Sequence, residues 1–152
     1  MARSFDPDRL LHQPLMVMLG TRCAAGPRIA PMWFLWEDGA LWMPSDHGAS
    51  SVARLQHDRM VAAEIVDFDA QAGVLLHLGL RGRAEVGAME QDRFRRLLAK
   101  YLGPRSGDWN PWFIENVARI EDPDGCFIRL IPDSVFTNNA SFFRTGPKVL
   151  TP

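Results

Sequence analysis

Asp38 and Gly39 lie between two runs of apolar residues, and this pair constrains the fold more than any other feature of the chain. An Asp-Gly pair in this setting favours a type I′ β-hairpin, because both residues tolerate the positive φ that the turn requires. The flanking apolar runs predict strands over residues 28–37 and 40–44. A further apolar run predicts a strand over 15–23, and the short connections between these strands indicate a three-stranded meander.

The remaining patterns predict a mainly β protein of the α+β class. The strands are not separated by regular crossover helices, so a parallel, doubly wound sheet is not expected. One domain over residues 1–152, built as a closed or partly closed antiparallel barrel, would leave few exposed strand edges. Gly79 and Gly82 interrupt a long strand pattern and indicate a bulge or a bend at a barrel corner. The other predicted elements are an N-terminal arm or helix over 1–14, a short helix that Ser50 or Ser51 caps and that runs through Gln56, strands over 60–68 and 74–86, helices over 89–102 and 108–119, a strand over 125–136 and a C-terminal tail over 137–152.

The charge balance excludes some classes of partner. The chain of 152 residues carries 17 Lys and Arg against 18 Asp and Glu, which gives a formal net charge of −1. A nucleic-acid-binding protein needs an excess of basic residues to neutralise phosphates, so no nucleic-acid partner is expected. The apolar run at 15–19 is too short for a signal sequence or a membrane span, so we expect a cytoplasmic protein without a membrane partner.

Sequence motifs for familiar chemistry are missing. The chain has no Walker loop, no dinucleotide-binding glycine pattern, no nucleophile elbow and no zinc-protease helix. The four histidines lack metal-ligand spacing, and Cys23 and Cys126 are isolated in apolar segments, as small core residues are. No metal site is therefore expected, and no catalytic residue can be identified. An enzyme of this kind would depend on a bound cofactor for its chemistry.

A series of short segments, in order along the chain, resembles the pyridoxamine 5′-phosphate oxidase-like flavin-binding split barrels. The resemblance is clear over about half of the chain and continues over the rest as the same order of elements. Each segment alone is common, and their order carries the resemblance. The matching segments are Gly20-Thr21, the stretch from Gly26 to Phe34 (GPRIAPMWF), the Asp38-Gly39 hairpin with 40–43, Ser45, the stretch from Ser50 to Leu55 (SSVARL), 58–62 and 81–86.

This resemblance implies a six-stranded antiparallel split barrel with peripheral helices, assembled as a homodimer, with FMN in a groove at the subunit interface. The family places the flavin ring along the second strand and its phosphate near the loop and short helix after the third. A helix N-terminus suits a phosphate, because it offers unpaired N–H groups to an anion. The cofactor-binding residues implied here are Arg28, Met32, Trp33, Phe34, Ser45, Ser50, Ser51 and Arg54, with Trp109 and Trp112 closing a flavin or substrate pocket from the partner chain.

The sequence departs from the family pattern at one position of the phosphate site. Many members carry a Lys where this chain has Ser51, so the phosphate would lose a cationic partner that Arg54 or an arginine of the second subunit could replace. Three functions remain open: an FMN-dependent oxidoreductase acting on an unidentified small molecule, a binding protein for haem or the deazaflavin F420, and a dimer with an empty groove. For Ser50 and Ser51 the alternative is helix capping. For Trp109 and Trp112 it is packing on the barrel or at an interface.

Overall fold

Seven antiparallel strands form one sheet, in the order β2-β1-β5-β6-β7-β4-β3. The computed structural model describes residues 4–118 and 124–141. The elements are α1 (Asp8–Leu11), β1 (Val17–Cys23), β2 (Gly26–Met32), β3 (Leu35–Glu37), β4 (Ala40–Asp46), α2 (Ser50–His57), β5 (Met60–Asp69), β6 (Val74–Ala88), α3 (Gln91–Leu102), a 3-10 turn (Ser106–Asp108), α4 (Pro111–Ala118) and β7 (Gly125–Asn139).

The hairpin at Asp38 and Gly39 is confirmed, with φ of 54° and 70° at the two residues. The predicted meander is wrong, because β1 pairs with β2 and β3 with β4, while β2 and β3 lie at opposite edges of the sheet. The predicted strand over 28–37 therefore breaks into two, and the sheet has seven strands rather than six. The break falls at Phe34, whose backbone bonds to side chains of α3 instead of to another strand.

Several predicted bounds shift. The N-terminal helix is limited to Asp8–Leu11, α3 begins two residues later than expected, and α4 begins at Pro111, a residue well suited to a first helical turn. The predicted tail over 137–152 is wrong at its start, because residues 137–139 extend β7 and pair with β6. Residues 142–152 of that tail lie outside the described residues, as does Arg119 of the predicted helix.

The core divides into two apolar clusters. The larger lies on the inner face of the sheet, under α1 and α2, and includes the predicted core residue Cys126. The smaller packs α3 against β4 and β7 through Trp42, Leu97 and Phe127. Within the described residues, no helix combines the length and the apolar character needed to cross a membrane.

Arg93 holds α3 against the β3–β4 hairpin. Its side chain is 9% exposed, and its guanidinium lies 3.5 Å from the centre of the Trp42 ring. The same guanidinium bonds to carboxylates of Glu37, Asp38 and Glu90. The neighbouring Arg96 forms two hydrogen bonds with Glu37, at 2.7 and 2.8 Å, which lower the pKa of that carboxyl. The hairpin and α3 therefore act as one frame beside the barrel.

Candidate functional site

Thr21, on the β1–β2 hairpin, is linked to two arginines of the predicted site, to one by a side-chain hydrogen bond and to the other by strand pairing. Arg54 of α2 donates from Nε to Thr21 Oγ1 at 2.7 Å, and Thr21 is the direct cross-strand partner of Arg28. Arg28 donates to the backbone oxygens of Ala25 and Pro27. Within the described residues, neither arginine forms an ion pair with a carboxylate. The guanidinium of Arg28 thus lies at the β1–β2 turn and that of Arg54 at Thr21, and either positive charge can bind an anion.

Helix α2, which carries Arg54 in its last turn, begins without a side-chain cap. Its N-cap residue is Ala49, in extended conformation, and no side chain bonds to the first turn there. The capping interpretation of Ser50 and Ser51 is therefore wrong, since both lie inside the helix. Ser50 is exposed on the same face as Arg54, whereas Ser51 is 7% exposed. The free N–H groups of this turn, which contains no acidic residue, favour a bound anion.

A pocket of about 430 Å³ lies between the end of β4 and the helices α3 and α4. It contains three of the predicted site residues, namely Trp33, Ser45 and Trp112. Phe94 and Phe113 supply further aromatic surface, and most of the wall is apolar. The pocket is connected to α2 along the chain, because residues 46–49 lead from its rim to the first turn of the helix.

The Trp33 wall is held in place by α3. Its indole stacks on the Tyr101 ring, with ring centres 4.4 Å apart, and on Phe113 at 5.5 Å. The Tyr101 hydroxyl accepts a hydrogen bond from the Phe34 N–H and donates to the Leu15 carbonyl at 2.6 Å. Burial raises the pKa of Tyr101 to about 12, so this hydroxyl stays protonated. The stacking contacts with Tyr101 and Phe113 therefore fix the position of Trp33 within the chain.

Comparisons with known proteins identify the fold. No family model matches the sequence, and no curated protein is significantly similar to it. Solved structures do match. An F420 reductase superimposes with a TM-score of 0.65 at 20% identity, covering 87% of this chain and 98% of its own. An FAD-binding protein from Mesorhizobium loti gives 0.64 at 15%, covering 93% and 99%. A candidate pyridoxamine 5′-phosphate oxidase from Listeria innocua gives 0.60 at 18%, covering 85% and 92%.

The chain has the pyridoxamine 5′-phosphate oxidase-like fold. The predicted split barrel is thereby confirmed, with one more strand than expected. At identities of 20% or less, this similarity establishes the fold and does not identify the ligand.

Not all of the remaining predicted site residues are accessible to a ligand. Phe34 is fully buried in the larger core cluster, so the prediction that its ring contacts a flavin is wrong. Trp109 is 7% exposed and donates to the Gly103 carbonyl, in agreement with the packing alternative rather than with pocket closure. Met32 is half-buried against the core at the end of β2 and precedes Trp33 directly.

One polar cluster was not predicted from the sequence. On the outer face of the split barrel, formed by residues 60–68 of β5, 77–81 of β6 and 134–138 of β7, Glu64 Oε1 lies 2.7 Å from His77 Nδ1. Asn138 Nδ2 lies 2.9 Å from His77 Nε2. A proton on Nδ1 satisfies both contacts. Gly79 makes room for this group, because a Cβ there would lie 3.2 Å from Glu64 Oε2. The only signal in the sequence is a set of polar residues at alternate positions of apolar strands.

Among the residues that the structure describes, no three His, Cys, Asp or Glu side chains lie close enough together to hold an ion. The site is therefore defined by the two arginines linked to Thr21, the uncapped helix and the aromatic pocket.

Lys100 of α3 makes a pH-dependent contribution to the stability of the fold. Its ammonium donates to the carbonyls of Leu11 and Phe34 and lies 3.4 Å from the centre of the Phe34 ring, and burial lowers its pKa to about 7. The unfolded chain keeps this proton up to a pKa of about 10.4. The free energy of unfolding therefore contains a contribution from Lys100 that is complete above about pH 10.4, where both states have lost the proton. This contribution decreases as the pH falls and is lost once the pH has fallen through about 7, the pKa in the folded state.

We expect denaturant unfolding to show this difference. Between pH 7 and 10, the free energy of unfolding of the wild type should rise relative to that of Lys100→Met, which has a similar side-chain length and no charge. Parallel pH profiles of the two proteins would contradict the prediction.

Proposed function

We propose that this chain is a flavin-dependent oxidoreductase that binds FMN. The observation that carries the proposal is the pair of arginines linked to Thr21: Arg54 bonds to its hydroxyl, and Arg28 is its cross-strand partner. Neither forms an ion pair with a carboxylate of the described residues, and α2, which carries Arg54, starts without a side-chain cap. A phosphate accepts charge-assisted hydrogen bonds from guanidinium groups and bonds from helix N–H groups, so this arrangement fits a mononucleotide tail.

The second strand supports the position of the flavin ring. Arg28, Ala30 and Met32 alternate along β2 on the same face, and Trp33 follows directly. A phosphate held at Arg28 would thus place the rest of the cofactor along β2. The flavin, when bound, would supply the hydride chemistry, and the protein would supply binding, orientation and exclusion of water. This division accounts for the lack of an acid–base motif in the sequence.

A deazaflavin is the second candidate cofactor. The match to an F420 reductase, which covers 98% of that chain, favours it, and Ser51 in place of the usual lysine weakens the argument for FMN. The match to an FAD-binding protein supports a flavin of some kind. Haem remains the third alternative from the sequence, and no contact in the described residues favours it.

We further propose a homodimer formed through the outer face. That surface exposes large apolar side chains, including Val66 (40%), Phe68 (59%) and Phe136 (57%), which a second copy would cover. It also carries charges of both signs, on Glu64 and Arg81, so two copies related by a two-fold axis can pair them. Light scattering should give a mass of twice 17.1 kDa, and Phe136→Asp should reduce the mass to that of one chain.

The absorption spectrum of the purified protein tests the cofactor. We expect a yellow protein with flavin bands that releases FMN on denaturation, or that gains these bands when FMN is added to the cofactor-free chain. A blue-shifted deazaflavin band would select the second candidate, and a Soret band would select haem. A colourless protein that fails to bind added FMN or F420 would refute the proposal.

A further inference from the structure

We infer that the pocket between β4, α3 and α4 binds a flat aromatic cation of low molecular mass. Nothing in the fold comparison assigns a ligand to this pocket. The inference rests on the aromatic surface of its wall, on the stacking contacts that hold Trp33 in place and on the sign of its charge.

The aromatic wall favours a ring-shaped ligand. Trp33, Phe94, Trp112 and Phe113 line a volume of about 430 Å³, which suits a two-ring molecule. Trp112 is 60% exposed and meets Phe113 edge-on, with ring centres 4.8 Å apart. Tryptophan rings are the best partners for organic cations, because the negative face of the ring attracts positive charge.

The charge of the pocket selects among such rings. Asp46 is the one ionisable side chain among the lining residues that the structure describes, and no arginine or lysine is among them. Its carboxylate forms no ion pair within the described residues. Its field reaches the buried Cys126 thiol, whose pKa is raised first by burial and then by Asp46. A cation is therefore attracted, and a phosphorylated or carboxylated ligand is repelled.

The pocket and the arginines linked to Thr21 thus differ in charge. The arginines suit the anionic tail of a cofactor, whereas the pocket suits a separate, positively charged molecule. The assignment of this molecule as the substrate rests on the proposed oxidoreductase function. Its binding to the pocket does not, because the wall residues are in place in the chain alone.

Three probes of similar size and different charge test the inference on the full-length protein. N-methylquinolinium is the cation, 1-methylnaphthalene the neutral isostere and 1-naphthoate the anion. In titration calorimetry, with and without FMN, we expect the cation to bind about tenfold more tightly than the neutral isostere. The anion should show no measurable binding.

Variants identify the residues responsible. Asp46→Asn should lower the affinity for the cation about tenfold and leave that for the neutral isostere unchanged. Trp112→Ala should weaken the binding of both. Asp133→Asn is the matched control, since it removes the same charge at an exposed position of β7 outside the pocket.

Two results would overturn the inference: equal affinity for the cation and its neutral isostere, or an unchanged affinity for the cation in Asp46→Asn. Binding of the anion would also overturn it. A protein that binds no flavin and still prefers the cation would refute the proposed cofactor while supporting the pocket. A flavin-containing protein without this preference for the cation would support the proposed cofactor and refute the inference about the pocket.

Discussion

Replacing Gly82 by alanine is expected to lower the free energy of unfolding by about 3 kcal/mol, the upper part of the range for overpacking. A Cβ at this position would lie 2.1 Å from the Ile131 carbonyl oxygen and 2.9 Å from Pro132 Cα. Both atoms belong to the backbone of β7, so no change of rotamer can relieve the clash. The pairing of β6 and β7 would have to open at this point.

Thermal unfolding of the two proteins measures the effect. For a chain of this size, the melting temperature should fall by roughly 10 °C. Gly87→Ala is the matched control, because Gly87 lies in the same strand and a Cβ there meets no atom within 4 Å. Its unfolding free energy should remain within about 0.5 kcal/mol of the wild type. Equal stability of Gly82→Ala and Gly87→Ala would contradict the close approach of the two strands.

The same position shows how far local sequence signals reach. A glycine within a long apolar strand predicted a bulge, and the register between β6 and β7 does shift between Arg81 and Gly82. The Asp-Gly hairpin was equally local and equally well predicted. Both features depend on φ preferences and steric limits of single residues, which the sequence states directly.

The strand order could not be predicted in the same way. The chain leaves β2 and reaches the opposite edge of the sheet at Phe34, whose backbone is held by Lys100 and Tyr101, about two-thirds of the chain away from the N-terminus. The periodicity of residues 28–37 contains no information on such long-range contacts. The apolar run therefore predicted a single strand, although it contains parts of two strands. The burial of Phe34 follows from the same break.

The candidate site was predicted in part for a similar reason. The family resemblance named Arg28 and Arg54, and in the structure Arg54 bonds to Thr21, the residue that pairs with Arg28 across the β1–β2 hairpin. The contact of Glu64 with His77 depends on the register of β5 and β6. A shift of one strand by one residue would place the two side chains on opposite faces of the sheet, and local sequence patterns do not specify that register.

The largest effect on ligand binding is expected from the double variant Arg28→Ala/Arg54→Ala. Hydrogen bonds to charged groups contribute about 1.5–3 kcal/mol each, so losing two weakens FMN binding by at least about 100-fold. The measurement is a titration of the cofactor-free protein with FMN, followed by flavin fluorescence. Circular dichroism of the variant should remain that of the wild type, since neither arginine forms an ion pair with a carboxylate of the described residues.

Two controls separate a phosphate site from a general effect of charge. Arg22→Ala removes the same charge one residue from Thr21, but Arg22 is already paired with Asp58 at 2.7 Å, so FMN affinity should change little. Riboflavin has the flavin ring without the phosphate, so its weaker affinity should be the same in the wild type and the double variant. If the double variant instead binds FMN and riboflavin with equally reduced affinity, the arginines support the barrel, and the phosphate is bound elsewhere.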